Sequence, residues 1–124
     1  MDVFVYSKEF FKESPSVRDA ILTAIDVLYS RIQAYEAQHV DFCRIFNDPS
    51  VKYDKHGEFF TFKTQKGNLQ LRILYSYQIV NGIPVIILAD FHIKKKNCKD
   101  YIKKFEYAKH LDPLDVYAHS CRVS

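Results

Sequence analysis

The sequence predicts an α+β domain, a small and mostly antiparallel sheet with one long helix packed on it and another helix near the C-terminus. Three observations lead there. Apolar residues recur every three or four positions from Val17 to Tyr35, the repeat of a helix with one buried face. From Glu58 the period drops to two, as in half-buried strands. Ile83 to Phe91 is apolar at successive positions, as expected of a central strand covered on both sides or packed at an interface.

Length and composition narrow the class. A chain of 124 residues makes one domain with one core. With 15% aromatic residues it is too apolar for disorder, and a net charge of +3 is too mild to prove a nucleic-acid partner. Met1 to Tyr6 lacks the basic flank and apolar run of a leader, and no segment approaches the roughly 20 apolar residues that span a bilayer. A soluble, cytoplasmic protein with no membrane partner is expected. Cys43, Cys98 and Cys121 contain no CxxC pair, which argues against a disulfide framework and a zinc site and for reduced, partly buried thiols.

In chain order, Val3 to Tyr6 reads as a first strand and Ser7 to Glu13 as a connector or helical turn. Ser14-Pro15 starts a helix, the serine able to cap free N–H groups and the proline preset for the first helical position. The helix should run from about residue 15 to about 38. Residues 40 to 57 combine a few apolar anchors with turn chemistry, Asn47-Asp48-Pro49-Ser50 and Lys55-His56-Gly57, and read as a short helical piece and a loop. Near the end, Asn97 can cap a helix that buries Tyr101, Ile102, Phe105 and Ala108, and Asp112-Pro113 ends it. The pattern leaves residues 111 to 124 open as either a mobile or a docked tail.

The strands between carry isolated cations. Around Gln65 to Asn68, a tight loop of two or four residues puts Lys63 and Arg72 on one face, and a loop of three separates them. Asn81-Gly82 is a strong hairpin signal, because both central positions of a type I′ turn need positive φ. Pairing Val80 with Ile83 carries Arg72 opposite Phe91, beside the strand end where Lys94, Lys95 and Lys96 emerge. His92 then shares a face with Leu71, toward the core and away from Arg72, unless a bulge intervenes.

Either cation alone is an ordinary solvated residue on an antiparallel sheet. Converging, they make a phosphate clamp in which arginine supplies a planar fork. Such a clamp can catalyse RNA cleavage without metal or cofactor, because the 2′-OH is a built-in nucleophile. Lys63, Arg72, Lys94, Lys95 and Tyr101 are the catalytic candidates, and Lys66, Lys96, Lys99 and His92 the further RNA-binding ones. Tyr101 is equally explained as a core aromatic. The remaining histidines, His39, His56, His110 and His119, read as surface residues.

Phe59-Phe-Thr-Phe-Lys63, Leu71-Arg72-Ile-Leu-Tyr75 and Val85 to Phe91 followed by lysines resemble the toxins of the HigB group in the RelE/ParE superfamily. The resemblance covers about residues 58 to 110. It implies a RelE-like, microbial-RNase-type fold and a ribosome-dependent mRNA endonuclease that inhibits translation. The implied partners are mRNA on the ribosome and a small helix-turn-helix, HigA-like antitoxin, with operator DNA bound only through the antitoxin. It places the family's strand arginine on Arg72, its preceding basic residue on Lys63, its post-strand cations on Lys94 or Lys95, and its helix-proximal tyrosine on Tyr101. An extra residue after Phe91 shifts the lysine run by one, and Asn97-Cys98 stands where Thr-Pro commonly opens the last helix. Two other functions remain open on the same scaffold: a ParE-like inhibitor of DNA gyrase, and a non-catalytic module that binds RNA or protein.

Overall fold

Ser14 begins the main helix as its chemistry requires. In the computed structural model, which describes residues 1–37, 55–94 and 100–124, its Oγ accepts the Val17 amide at 3.4 Å and its carbonyl accepts the Arg18 amide at 3.0 Å. Helix α1 (Pro15–Ala37) then buries Ile21, Ile25, Leu28 and Ile32 completely. Each of these side chains is worth roughly 1.5–3 kcal/mol in apolar area removed from water.

That stripe lies on a six-stranded sheet in the order β2-β3-β4-β5-β1-β6. The strands are β1 (Asp2–Val5), β2 (Lys55–His56), β3 (Phe59–Lys66), β4 (Leu69–Val80), β5 (Ile83–Lys94) and β6 (Cys121–Arg122). Among the described residues only the β1/β5 pairing is parallel, and β5 lies between β4 and β1 as a central strand. Phe62, Leu71, Ile73, Tyr75, Ile86 and Leu88 pack toward α1. Phe59, Leu74, Val85, Ile87 and Ala89 face a second layer of Tyr101, Phe105, Ala108 and Val116. This layer comprises α2 (Asp100–Phe105), a 3₁₀ turn (Glu106–His110) and α3 (Pro113–Ala118). No helix among the described residues is long and apolar enough to cross a membrane.

Some open points are resolved and some expectations change. The C-terminal tail is docked: α3 inserts Val116 into the core, and β6 pairs with β1, where the Val123 amide donates to the Val3 carbonyl at 2.9 Å. Pro113 therefore opens a new helix, its missing N–H costing nothing at that position. Lys55-His56 is a short strand on β3, so His56 is buried, with its ring 6.3 Å from that of Phe105. Cys121 is exposed rather than partly buried, because the outer sheet edge carries it. The expected helical piece after residue 40, the Asn97 cap, His39, Cys43 and Cys98 lie outside the described residues.

Candidate functional site: a cationic sheet face

The β3/β4 loop has two residues, and Gly67 takes a φ of +59° that favours glycine. Lys66 therefore pairs with Leu69, and Lys63 lies directly opposite Arg72. At the next hairpin Asn81 and Gly82 adopt φ of +52° and +77°, both positive as a type I′ turn needs.

From Val80/Ile83 the register holds to Tyr75/Leu88 and then slips, so that Leu74 pairs with Asp90 and Ala89 is the extra residue of a β-bulge. Past the bulge Arg72 faces His92 rather than Phe91. This corrects the regular register, which turned His92 toward the core. One inserted residue reverses the facing of everything after it.

Lys63, Arg72 and His92 thus form one rung across three strands, and Gln65, Gln70 and Lys94 form the neighbouring rung. A cavity of about 450 Å³ opens beside them, lined by Lys63, Thr64, Gln65, Gln70, Arg72 and Lys94. Tyr101 reaches over this face from α2. Its ring centroid is 5.5 Å from the Arg72 guanidinium carbon and 6.3 Å from the His92 ring. It is also a core aromatic, 6.0 Å from Phe105 and 3% exposed, so the same side chain borders both the core and the cationic face.

Arg72 is the unusual member, a guanidinium only 2% exposed on a small domain. Nη1 donates to the Leu71 carbonyl at 2.9 Å, and the tyrosine face supplies a cation–π contact. Nε is buried with no hydrogen-bond partner among the described residues. Thr61 Oγ1, one rung away on the same face, is buried in the same condition. A buried donor left unpaired costs about 1–3 kcal/mol, and more when charged.

Lys66 does not join the cluster. Alternation turns it to the α1 side, where with Ala20, Thr23 and Val27 it borders a separate groove. Lys95, Lys96 and Lys99 lie outside the described residues. No group of three or more His, Cys, Asp or Glu side chains that could hold a metal occurs among the described residues.

A second polar cluster escaped the sequence reading. Asp90, only 8% exposed, accepts the Phe91 amide at 2.8 Å and the Tyr107 hydroxyl at 2.9 Å. Lys104 Nζ lies 3.8 Å from it and donates to the Phe91 carbonyl at 2.7 Å. Burial and the neighbouring carboxylate push the Tyr107 hydroxyl well above the usual tyrosine range. The available signal was Asp90 itself, the one charge in the apolar run Ile83 to Phe91.

Comparison with family models, with curated proteins and with solved structures finds no match to this chain.

Proposed function

We propose that the chain is a toxin of the HigB group on a RelE-type fold, a metal-independent endoribonuclease that cuts mRNA on the ribosome. One observation carries the reading: a buried arginine with an unpaired Nε, set between Lys63 and His92 and next to Lys94. A charged donor kept unpaired at such cost is explained by an acceptor that arrives with the substrate, and a phosphate oxygen fits the arginine fork.

The chemistry follows from RNA itself. The 2′-oxygen attacks the adjacent phosphorus as its proton passes to a base. The P–O5′ bond breaks as an acid protonates the departing oxygen, leaving a 2′,3′-cyclic phosphate and a 5′-hydroxyl. Arg72 stabilises the charge that develops on the pentavalent phosphate. Lys63, Lys94 and His92 supply proton transfer and charge neutralisation, and Lys95 and Lys96, next in the sequence, add positive charge. Tyr101 swings off the guanidinium to admit the phosphate and then orients or stacks against the substrate. The partners are mRNA on the cytoplasmic ribosome and a helix-turn-helix antitoxin that neutralises the toxin and carries it to operator DNA.

Arg72's burial also favours a second reading, in which the face holds RNA without cutting it. Primer extension on mRNA from cells expressing the chain separates the two. Discrete cuts within translated codons, absent with Arg72→Ala, are expected. A folded Arg72→Ala variant with undiminished toxicity overturns the nuclease reading, and salt-sensitive RNA binding without scission supports the holding one.

A further inference from the structure

A second cavity, of about 570 Å³, shares no lining residue with the cationic one. Its position is set by the parallel pair β1/β5. The two strands run together to Val5/Leu88, the Tyr6 amide still donates to the Leu88 carbonyl at 2.9 Å, and then the chains part. Crevices beyond the carboxyl ends of parallel strands are recurrent ligand sites. Here the bulge at Ala89 turns Asp90 into the crevice, and bulges recur where a side chain is re-aimed toward a site.

Three features of the wall restrict the occupant. Tyr6 and Tyr107 line it, residues 36% and 43% exposed, and an aromatic side chain in a cavity wall is suited to a planar group. Among its lysines and carboxylates the charges balance, Lys8 and Lys104 against Glu9 and Asp90. With these charges balanced the wall does not select a cation, so a neutral ring is favoured. Lys104 is engaged with Asp90 and Phe91, and Glu9 with Lys12 at 3.3 Å, while Lys8 has no ion pair among the described residues and is left to meet an anion.

Asp90 decides which ring. Oδ1 accepts the Phe91 amide with Lys104 Nζ 3.8 Å away, outside hydrogen-bond distance, and Oδ2 accepts the Tyr107 hydroxyl, so each oxygen has a second lone pair not used by a hydrogen bond within the chain. An ionised carboxylate only accepts, so it selects a base edge with two adjacent donors. Guanine presents N1–H and the 2-amino group side by side. Adenine, cytosine and uracil each put an acceptor against one oxygen.

We propose that this cavity binds a guanine nucleotide, with the base between Tyr6 and Tyr107, its N1/N2 edge on Asp90 and its phosphate at Lys8. The site is separate from the cationic face and stands whether or not the chain cuts RNA. The test is an amide chemical-shift titration of the full chain with 5′-GMP, 5′-AMP, 5′-CMP, 5′-UMP and arginine amide. GMP should move Ser7, Lys8, Asp90 and Tyr107 and bind at least about tenfold more tightly than the other nucleotides, the difference expected of a good bidentate base contact. Asp90→Asn should remove that preference. Lys8→Ala, on an exposed residue whose loss leaves the fold intact, should weaken GMP but not guanosine. Arg72→Gln should bind GMP like the parent, so a failed nuclease reading leaves this result readable. Equal binding of all four nucleotides, shifts confined to Lys63, Gln70 and Lys94, or a response to arginine amide alone each overturns the proposal.

Discussion

Arg72 is the cross-strand partner of His92, and it is so because Ala89 is an extra residue on β5. In a regular ladder Phe91 would stand opposite the arginine and the imidazole would point toward α1. The bulge therefore does two things at once, turning Asp90 into one cavity and His92 toward the cationic rung. If His92 transfers a proton during cleavage, His92→Gln should keep the fold and lower the single-turnover cleavage rate by about 10²–10⁴. A loss under threefold would leave His92 only a contact to RNA.

Arg72 also yields a stability prediction of unusual sign. Replacing it with methionine forfeits the bond to the Leu71 carbonyl and the contact with Tyr101. It also relieves the buried, unpaired Nε. These terms are each about 1–3 kcal/mol and oppose one another. Thermal unfolding of Arg72→Met should therefore stay within about 1 kcal/mol of the parent, while growth inhibition is lost. A large drop in melting temperature would instead mark Arg72 as a structural residue.

Two glycines separate strain from crowding. Gly57 (φ +64°) and Gly67 (φ +59°) share a left-handed conformation. A Cβ on Gly67 meets nothing within 4 Å, but on Gly57 it falls 2.8 Å from Lys109 Cα and 2.9 Å from its carbonyl oxygen. Gly67→Ala should cost about 1–2 kcal/mol from backbone strain alone. Gly57→Ala should cost more than about 3 kcal/mol, because main chain must also shift. Chemical denaturation of the two variants checks the difference, and equal losses would mean that the β2/β3 hairpin packs loosely on the 3₁₀ turn.

Tyr107 predicts a response to alkali. Its hydroxyl keeps its proton in the folded chain above the ordinary tyrosine pKa of about 10, owing first to burial and then to Asp90. The unfolded chain thus loses that proton earlier, so the stability it contributes is complete below about pH 10 and declines as pH rises further. Tyr107→Phe should flatten the fall in denaturation midpoint above pH 10 and leave the midpoint's pH dependence near neutrality unchanged. An unaltered alkaline slope would mean that the Tyr107 proton is not held by burial and Asp90 in solution.

The legible parts of this molecule were those written in periodicity or turn chemistry. Ser14-Pro15 located the start of α1, and Asn81-Gly82 located the second hairpin. Loop parity left the shared face of Lys63 and Arg72 as one of two outcomes, and the two-residue loop selects it. The bulge left no such mark, because Ile83 to Phe91 is apolar at nearly every position and a one-residue slip disturbs no alternation. His56 was misplaced for a related reason: a two-residue strand beside a glycine looks like turn chemistry, and its burial depends on Phe105, far along the chain. The docking of α3 and β6 is likewise tertiary, since few residues there repeat and their partners are on β1 and in the core.

That docking changes how the gyrase reading should be tested. Cutting the chain after Pro113 would remove Val116, which is 2% exposed in the core, so lost activity would report misfolding as readily as a lost target surface. Cutting after Ser120 removes only β6 and the last two residues. It breaks the β1/β6 ladder at Phe4/Arg122 and Val5/Cys121, the Val3 amide bond to the Ser124 carbonyl at 2.8 Å, the Val123 bond back to Val3, and the Arg122–Asp2 pair at 3.1 Å. None of these groups touches Lys63, Arg72 or His92. The shortened chain should fold with faster amide exchange at Val3 and a stability loss of about 2–5 kcal/mol, from the β1/β6 ladder, its two flanking backbone bonds and an ion pair of little worth. Its mRNA cleavage should persist, because the cationic rung lies on strands β3 to β5. Loss of toxicity with intact mRNA and a folded core would move the active surface to the C-terminal edge and favour gyrase as the target.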